Sequence, residues 1–124
     1  MAEAVGADKA FFSTCGSSLS VKASILAVTR GSGELLIGRY AHKSVVAGLI
    51  LSGLQPRWIS PSWDRDLHLA HPPSPDAVRK MWERFPDAAG AFITSPTAYG
   101  TCADIGAIAE ICHERGKPLI WKPG

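Results

Sequence analysis

The sequence predicts an α/β protein: three layers, helix–sheet–helix (αβα), around a mostly parallel sheet. Three observations lead there. Short apolar stretches alternate along the chain with longer stretches whose apolar residues recur at helical spacing. The helical stretches lie between successive strands and are long enough to serve as crossovers, which parallel neighbours require. The stretch "AAGAFITS", Ala88–Ser95, is apolar nearly throughout, as a strand covered on both faces must be. With 124 residues, 46% of them hydrophobic, the chain has the length of one domain and enough apolar surface for a core.

Taken in order, "KAFFST", Lys9–Thr14, reads as a first strand that ends at "CG". "SSLSVKASILAVTR" follows as a helix with Leu19, Ala23, Leu26 and Ala27 at helical spacing, and "GSG", Gly31–Gly33, is its expected stop. "ELLIGRY" reads as a strand and "HKSVVAGLILSG" as a helix closed by Gly53. "QPRWIS" is the next strand, and its Pro56 marks a strand start or a sheet edge. "PSWDRDLHLAHPPSP" reads as a loop. "SPDAVRKMWERF" is a helix with Ser74 as its cap, Pro75 at the first helical position and Asp76 in the first turn. After the "AAGAFITS" strand and the loop "PTAYGTC" comes the helix "ADIGAIAEICHERG". It has Ile105, Ile108, Ala109 and Cys112 on one face and Gly116 as its stop. "KPLIW" opens a last strand. The predicted order is βαβαβ, a loop, then αβαβ.

Composition removes several classes of function. The net charge is +2 and the basic residues are scattered, so nothing calls for nucleic acid as a partner. The longest apolar run falls well short of the roughly 20 residues of a membrane helix, and no membrane association is expected. Three cysteines without a CxxC spacing read as reduced thiols, and the N-terminus lacks the basic-then-apolar pattern of a secretory signal. A soluble, cytoplasmic chain is expected.

Four places carry candidate chemistry. In "TCGSSLSVK", a glycine and two serines open a helix, so Gly16, Ser17 and Ser18 offer N–H groups and hydroxyls to an anion such as phosphate. The plainer reading is that Ser17 or Ser18 simply caps the helix. It is neither a Walker loop nor a GxGxxG dinucleotide loop. In "AHKS", His42 stands at a strand–helix junction, where ligands collect in open α/β sheets; it either meets a ligand or caps the helix, with Lys43 a solvated charge. In "WDRDLHLAH", Asp64, Asp66, His68 and His71 have metal-binding chemistry but no rigid element beneath them, and no metal is expected. In "TSPTAYG", Ser95 and Thr97 sit at the carboxyl end of the buried strand, as ligand contacts or as a turn bonding its own backbone.

Together, "GADKAFFSTCGSS", "AHKSVVAGLILSG" and "FITSPTAYGTCADIGAIAEICHERGKPLI", in this order, resemble the major domain of the Orn/Lys/Arg decarboxylase family. The resemblance implies a partial large, cofactor-binding domain over residues 1–124, of the transferase-like fold of pyridoxal-phosphate enzymes (fold type I). It implies decarboxylation of ornithine, lysine or arginine in the complete enzyme, with an inactive remnant or another enzyme of this fold, such as an aminotransferase, as the alternative. It implies pyridoxal 5′-phosphate as cofactor, an amino acid as substrate, and a homodimer or higher oligomer. Gly16, Ser17 and Ser18 match the family's phosphate loop, and His42 matches the histidine that stacks on the pyridine ring. Lys43 does not match the Schiff-base lysine, which in the family lies much further on, so no catalytic residue is expected within the chain.

The match breaks after "GKPLI". There the family continues with a Val-Asp-Glu-Ala segment whose aspartate pairs with the ring nitrogen, whereas this chain reads Trp121-Lys122-Pro123-Gly124. A truncated fragment is expected, and a shifted reading frame would account for its last residues.

Overall fold

A computed structural model describes residues 1–29 and 33–124. Strand β1, Glu34–Gly38, is buried at every position but its first. Because side chains alternate along a strand, its residues divide between two cores. Leu35 and Ile37 join Val21, Ile25, Val45, Leu49 and Phe92. Leu36 joins Val78, Trp82, Ile93, Ile108, Ile111 and Cys112. Helices α1 (Gly16–Val28) and α2 (Lys43–Ser52) cover the first face. Helices α3 (Pro75–Arg84) and α4 (Ile105–Glu114) cover the second. These are the three layers the alternating pattern predicts.

The sheet adds β2 (Gln55–Ile59), β5 (Gly90–Thr94) and β6 (Leu119–Lys122) in the order β2-β1-β5-β6, and every pairing is parallel. Pro56 lies in β2, an edge strand, where a residue without an N–H is tolerated. Parallel strands have their carboxyl ends on one side, so Gly38, Ile59, Thr94 and Lys122 mark a common rim.

Local chemistry sets the helix ends. Ser74 Oγ accepts from the Ala77 N–H at 3.2 Å, with Pro75 and Asp76 in the first turn of α3. Gly53, at φ 72°, donates its N–H to Leu49 O and ends α2. Gly116 adopts φ 66° just past the C-cap of α4. Cys112 lies fully buried on α4, and burial pushes its thiol above the ordinary range.

The structure departs from the sequence reading at three places. Lys9–Thr14 forms no strand, and Phe11 and Phe12 are 89% and 82% exposed. An apolar run becomes a strand only when a neighbour accepts its hydrogen bonds, and among the described residues the sheet has no strand pairing with it. On α1 the buried residues are Val21 and Ile25, while Leu19 and Leu26 stay exposed; α1 packs against α2 through the opposite stripe to the one predicted. The expected stop at Gly31 and Ser32 lies outside the described residues. The loop at 61–75 contains an antiparallel hairpin, β3 (Ser62–Asp64) and β4 (Leu69–His71). Its tight turn is held by Asp64 Oδ1, which accepts from the N–H groups of Asp66 and Leu67, both at 2.9 Å.

Candidate functional site

The carboxyl rim of the sheet carries a cleft of about 450 Å³, lined by Arg39, Tyr40, Ala41, His42, Thr94, Ala98, Lys122 and Gly124. Each element delivers its residue for a plain reason. Arg39–His42 is the connection leaving β1 for α2, Thr94 is the last residue of β5, and Lys122 is the last of β6. Thr94 and Lys122 are register partners on neighbouring parallel strands, and the Ser95 N–H donates to Lys122 O at 3.0 Å.

His42 is the N-cap of α2. Its Nδ1 accepts from the Ser44 N–H at 3.2 Å and lies 3.0 Å from Ser44 Oγ. Since a backbone N–H can only donate, this Nδ1 carries no proton and the neutral ring holds its proton on Nε2. Capping the helix and lining the cleft therefore coexist. One nitrogen anchors an exposed ring, and that ring forms part of the cleft wall.

Gly16, Ser17 and Ser18 open α1. Gly16 adopts φ 74°, a conformation that suits glycine. Neither serine caps the helix; the cap position belongs to Cys15, which makes no side-chain cap bond. The first-turn N–H groups are thus left without a side-chain acceptor from the cap, the arrangement an anion can satisfy. A second, smaller cleft of about 210 Å³ joins Ser18 and Lys22 of α1 to Lys43, Ser44 and Ala47 of α2. Ser44 contributes to it and also holds His42, so it links the α1 N-terminus to the larger cleft. Lys43 is exposed, as a solvated charge would be.

The other candidates are occupied with structure. Thr97 Oγ1 sits 2.6 Å from Thr101 Oγ1 and accepts from the Tyr99 and Thr101 N–H groups at 3.3 Å, so it closes its own turn. Ser95 Oγ accepts from the Ala103 N–H at 2.8 Å, and Ser95 O from Trp121 Nε1–H at 2.7 Å. Among the hydroxyls of "TSPTAYG" it is Thr94 that lines the cleft, and its Oγ1 is buried with no partner among the described residues. Asp64 Oδ2 pairs with His71 Nε2 at 3.2 Å across the hairpin. The Leu67 N–H, then His71, hold the Asp64 carboxyl below its ordinary range. No group of three potential metal ligands forms among the described residues. Arg39, Tyr40 and Lys122 carried no sequence signal beyond their position at strand ends.

A ring-bearing anion fits what is here. The cleft volume falls within the roughly 300–1,000 Å³ usual for small-molecule sites. A flat ring stands on its wall beside two cationic side chains, and Ser18 of α1 lines the smaller cleft that shares Ser44 with the His42 cap. Comparison with solved structures gives the class. The chain matches 27% of N-succinyldiaminopimelate aminotransferase from Mycobacterium tuberculosis, covering 86% of itself at 20% identity and TM-score 0.69. It matches 31% of the PLP-bound C-S lyase from Staphylococcus hominis, covering 90% of itself at 12% identity and TM-score 0.68. The fold is part of the large domain of pyridoxal-phosphate-dependent transferase-like proteins.

Within that class the chain belongs to the Orn/Lys/Arg decarboxylase family, whose major-domain model matches residues 1–121. It is 35% identical over 119 residues to an arginine decarboxylase of Halalkalibacterium halodurans and 33% identical over 119 residues to one of Bacillus subtilis. Each match covers 96% of this chain and 24% of the relative, so the chain spans about a quarter of the length of these relatives. The family depends on pyridoxal phosphate.

Proposed function

We propose that this chain supplies the cofactor-holding part of a pyridoxal-phosphate-dependent decarboxylase of a basic amino acid, which in its full-length form assembles as a homodimer or higher oligomer. The observation that carries this reading is the His42–Ser44 junction. It holds a flat ring on the wall of the larger cleft through Ser44, which with Ser18 of α1 lines the smaller one. Bound there, the cofactor would supply an electron-withdrawing ring, chemistry that no amino-acid side chain offers.

The chain's own residues do the holding. Gly16, Ser17 and Ser18 would hold the phosphate with backbone N–H groups and hydroxyls. His42, fixed in orientation through Nδ1, would flank the cofactor ring. Arg39 and Lys122 favour an anionic ligand. Relatives of this chain that act on arginine support the substrate class.

The test uses pyridoxine 5′-phosphate, which lacks an aldehyde and so cannot condense with surface lysines. It should bind the chain at least about tenfold more tightly than pyridoxine, a single charge-assisted hydrogen bond being worth about 1.5–3 kcal/mol. Equal affinities, or no binding, overturn the cofactor assignment. For the substrate, a full-length form carrying this segment should release carbon dioxide from arginine, lysine or ornithine; release from none of them overturns it.

A further inference from the structure

Two connections contribute to the cleft, and each is braced by its own hydrogen bonds. In the one that leaves β1, the Arg39 N–H donates to Ile59 O and the Ala41 N–H to Arg39 O, both at 3.0 Å. The second bond closes a three-residue turn with Tyr40 at its apex, just before the His42 cap of α2. In the connection that leaves β5, the Thr97 N–H donates to Thr101 O at 2.8 Å and the Gly100 N–H to Thr97 O at 3.0 Å. The Thr97 hydroxyl accepts from the Tyr99 and Thr101 N–H groups of the same turn. Tyr40, Ala41 and His42 line the cleft from the first connection and Ala98 from the second.

The two turns meet through aromatic rings. Tyr40 and Tyr99 pack edge-on, with centroids 6.2 Å apart and planes at 61°. This lies within the range of roughly 4.5–7 Å that aromatic pairs prefer. Tyr99 does not line the cleft and is 68% exposed, so burial gives it little reason to stay where it is. Its ring edge against Tyr40 is the contact that places it. Desolvation, and then the neighbouring Tyr99, push the Tyr40 phenol above its ordinary range.

We propose that Tyr99 is a positioning residue: through its ring contact with Tyr40 it clasps the β1–α2 connection to the braced β5–α4 turn and so keeps the His42 ring in place on the cleft wall. This role rests on the cofactor assignment above and goes further, since it names a residue outside the cleft that orders the wall on which a flat ligand ring is held. Without the clasp, the apex at Tyr40 gains freedom that binding must then remove.

The experiment is titration of the purified chain with pyridoxine 5′-phosphate and with pyridoxine. Tyr99→Ala should weaken both about threefold to tenfold and by the same factor, because the clasp acts on the ring side of the ligand and not on the phosphate. Tyr99→Phe keeps the ring edge and should restore both affinities. In a Tyr40→Ala background, Tyr99→Ala should have no further effect, because the two residues act as one unit. Unchanged affinities in Tyr99→Ala, even with a lowered melting temperature, reduce the contact to a structural brace, overturn the clasp and leave the cofactor assignment standing. Losses that add in the double variant, or that Tyr99→Phe fails to restore, overturn it equally. If the unaltered chain binds neither ligand, the cofactor assignment falls and the clasp falls with it.

Discussion

His42 Nδ1 accepts from the Ser44 N–H at 3.2 Å, one contact that caps a helix and orients a ring at the mouth of a cleft. The two duties separate by substitution. Asparagine also caps, so His42→Asn should keep stability and lose affinity for pyridoxine 5′-phosphate. His42→Phe keeps a flat ring without the acceptor; it should keep much of the affinity and lose about 1 kcal/mol of stability. Thermal melts and ligand titration of the two variants check this, and equal affinities would mean that His42 only caps.

Ser17 and Ser18 stand in the first turn of a helix whose cap residue makes no side-chain cap bond. Replacing both by alanine should weaken pyridoxine 5′-phosphate binding tenfold or more and leave pyridoxine binding unchanged. Isothermal titration with both ligands decides whether the serines read the phosphate.

Two buried glycines should respond differently to alanine. A Cβ at Gly90 would meet the Pro118 backbone oxygen at 2.9 Å, and backbone cannot swing aside. Gly90→Ala should therefore cost about 1–3 kcal/mol by forcing β6 away from β5. A Cβ at Gly48 would meet Ile25 Cδ1 at 2.7 Å, the mobile end of a side chain. The helix gain of alanine over glycine, about 1 kcal/mol, offsets that strain, so Gly48→Ala should be near neutral. Urea unfolding of both variants gives the comparison.

The Asp64 turn predicts a pH dependence. Its carboxyl is held below the ordinary range by the Leu67 N–H and by His71. A lowered folded value means that the carboxylate stabilises the hairpin above the ordinary carboxylate range and stops doing so as pH falls through the lowered value. The Asp66 and Leu67 amide resonances should move together on acidification, below the pH at which free aspartate titrates. In Asp64→Asn, which keeps an acceptor but no charge, that step should vanish.

The surface carries unpaired apolar groups: Phe11, Phe12, Leu19 and Leu26 around α1, and Val46, Ile50, Leu51 and Trp58 around α2 and β2. Such surface favours association. The purified chain should elute larger than a monomer, with Phe11–Ser13 among its fastest-exchanging amides. Phe11→Ser with Phe12→Ser should shift the elution toward monomer, and a sharp monomer peak for the unaltered chain would contradict the expectation.

Much of this architecture was legible in the residues, because its causes are local. Ser74-Pro75-Asp76 announces a helix start, Gly53 and Gly116 announce helix ends, and the apolar run at 88–95 announces a strand covered on both faces. Of the residues the sequence singled out, His42 lines the larger cleft and Ser18 the smaller one, since a junction histidine and a helix opened by small hydroxyl residues are written within a few residues. Arg39, Thr94 and Lys122 were not legible as a set, for they come from three separate segments and meet only at the rim.

What the sequence determined by itself is therefore the alternation of strand and helix, the parallel three-layer arrangement, and the family. Periodicity, capping and motif order depend on neighbours along the chain. What only the tertiary structure decided depends on neighbours in space. Lys9–Thr14 has an apolar strand pattern but, among the described residues, no strand beside it to accept its hydrogen bonds. Helix α1 has two apolar stripes, and packing on α2 selected Val21 and Ile25. Lys122 became part of the cleft only because β6 pairs with β5 and sets it in register with Thr94. Sequence order does not contain these choices, because each is made by which surface is nearest once the chain has collapsed.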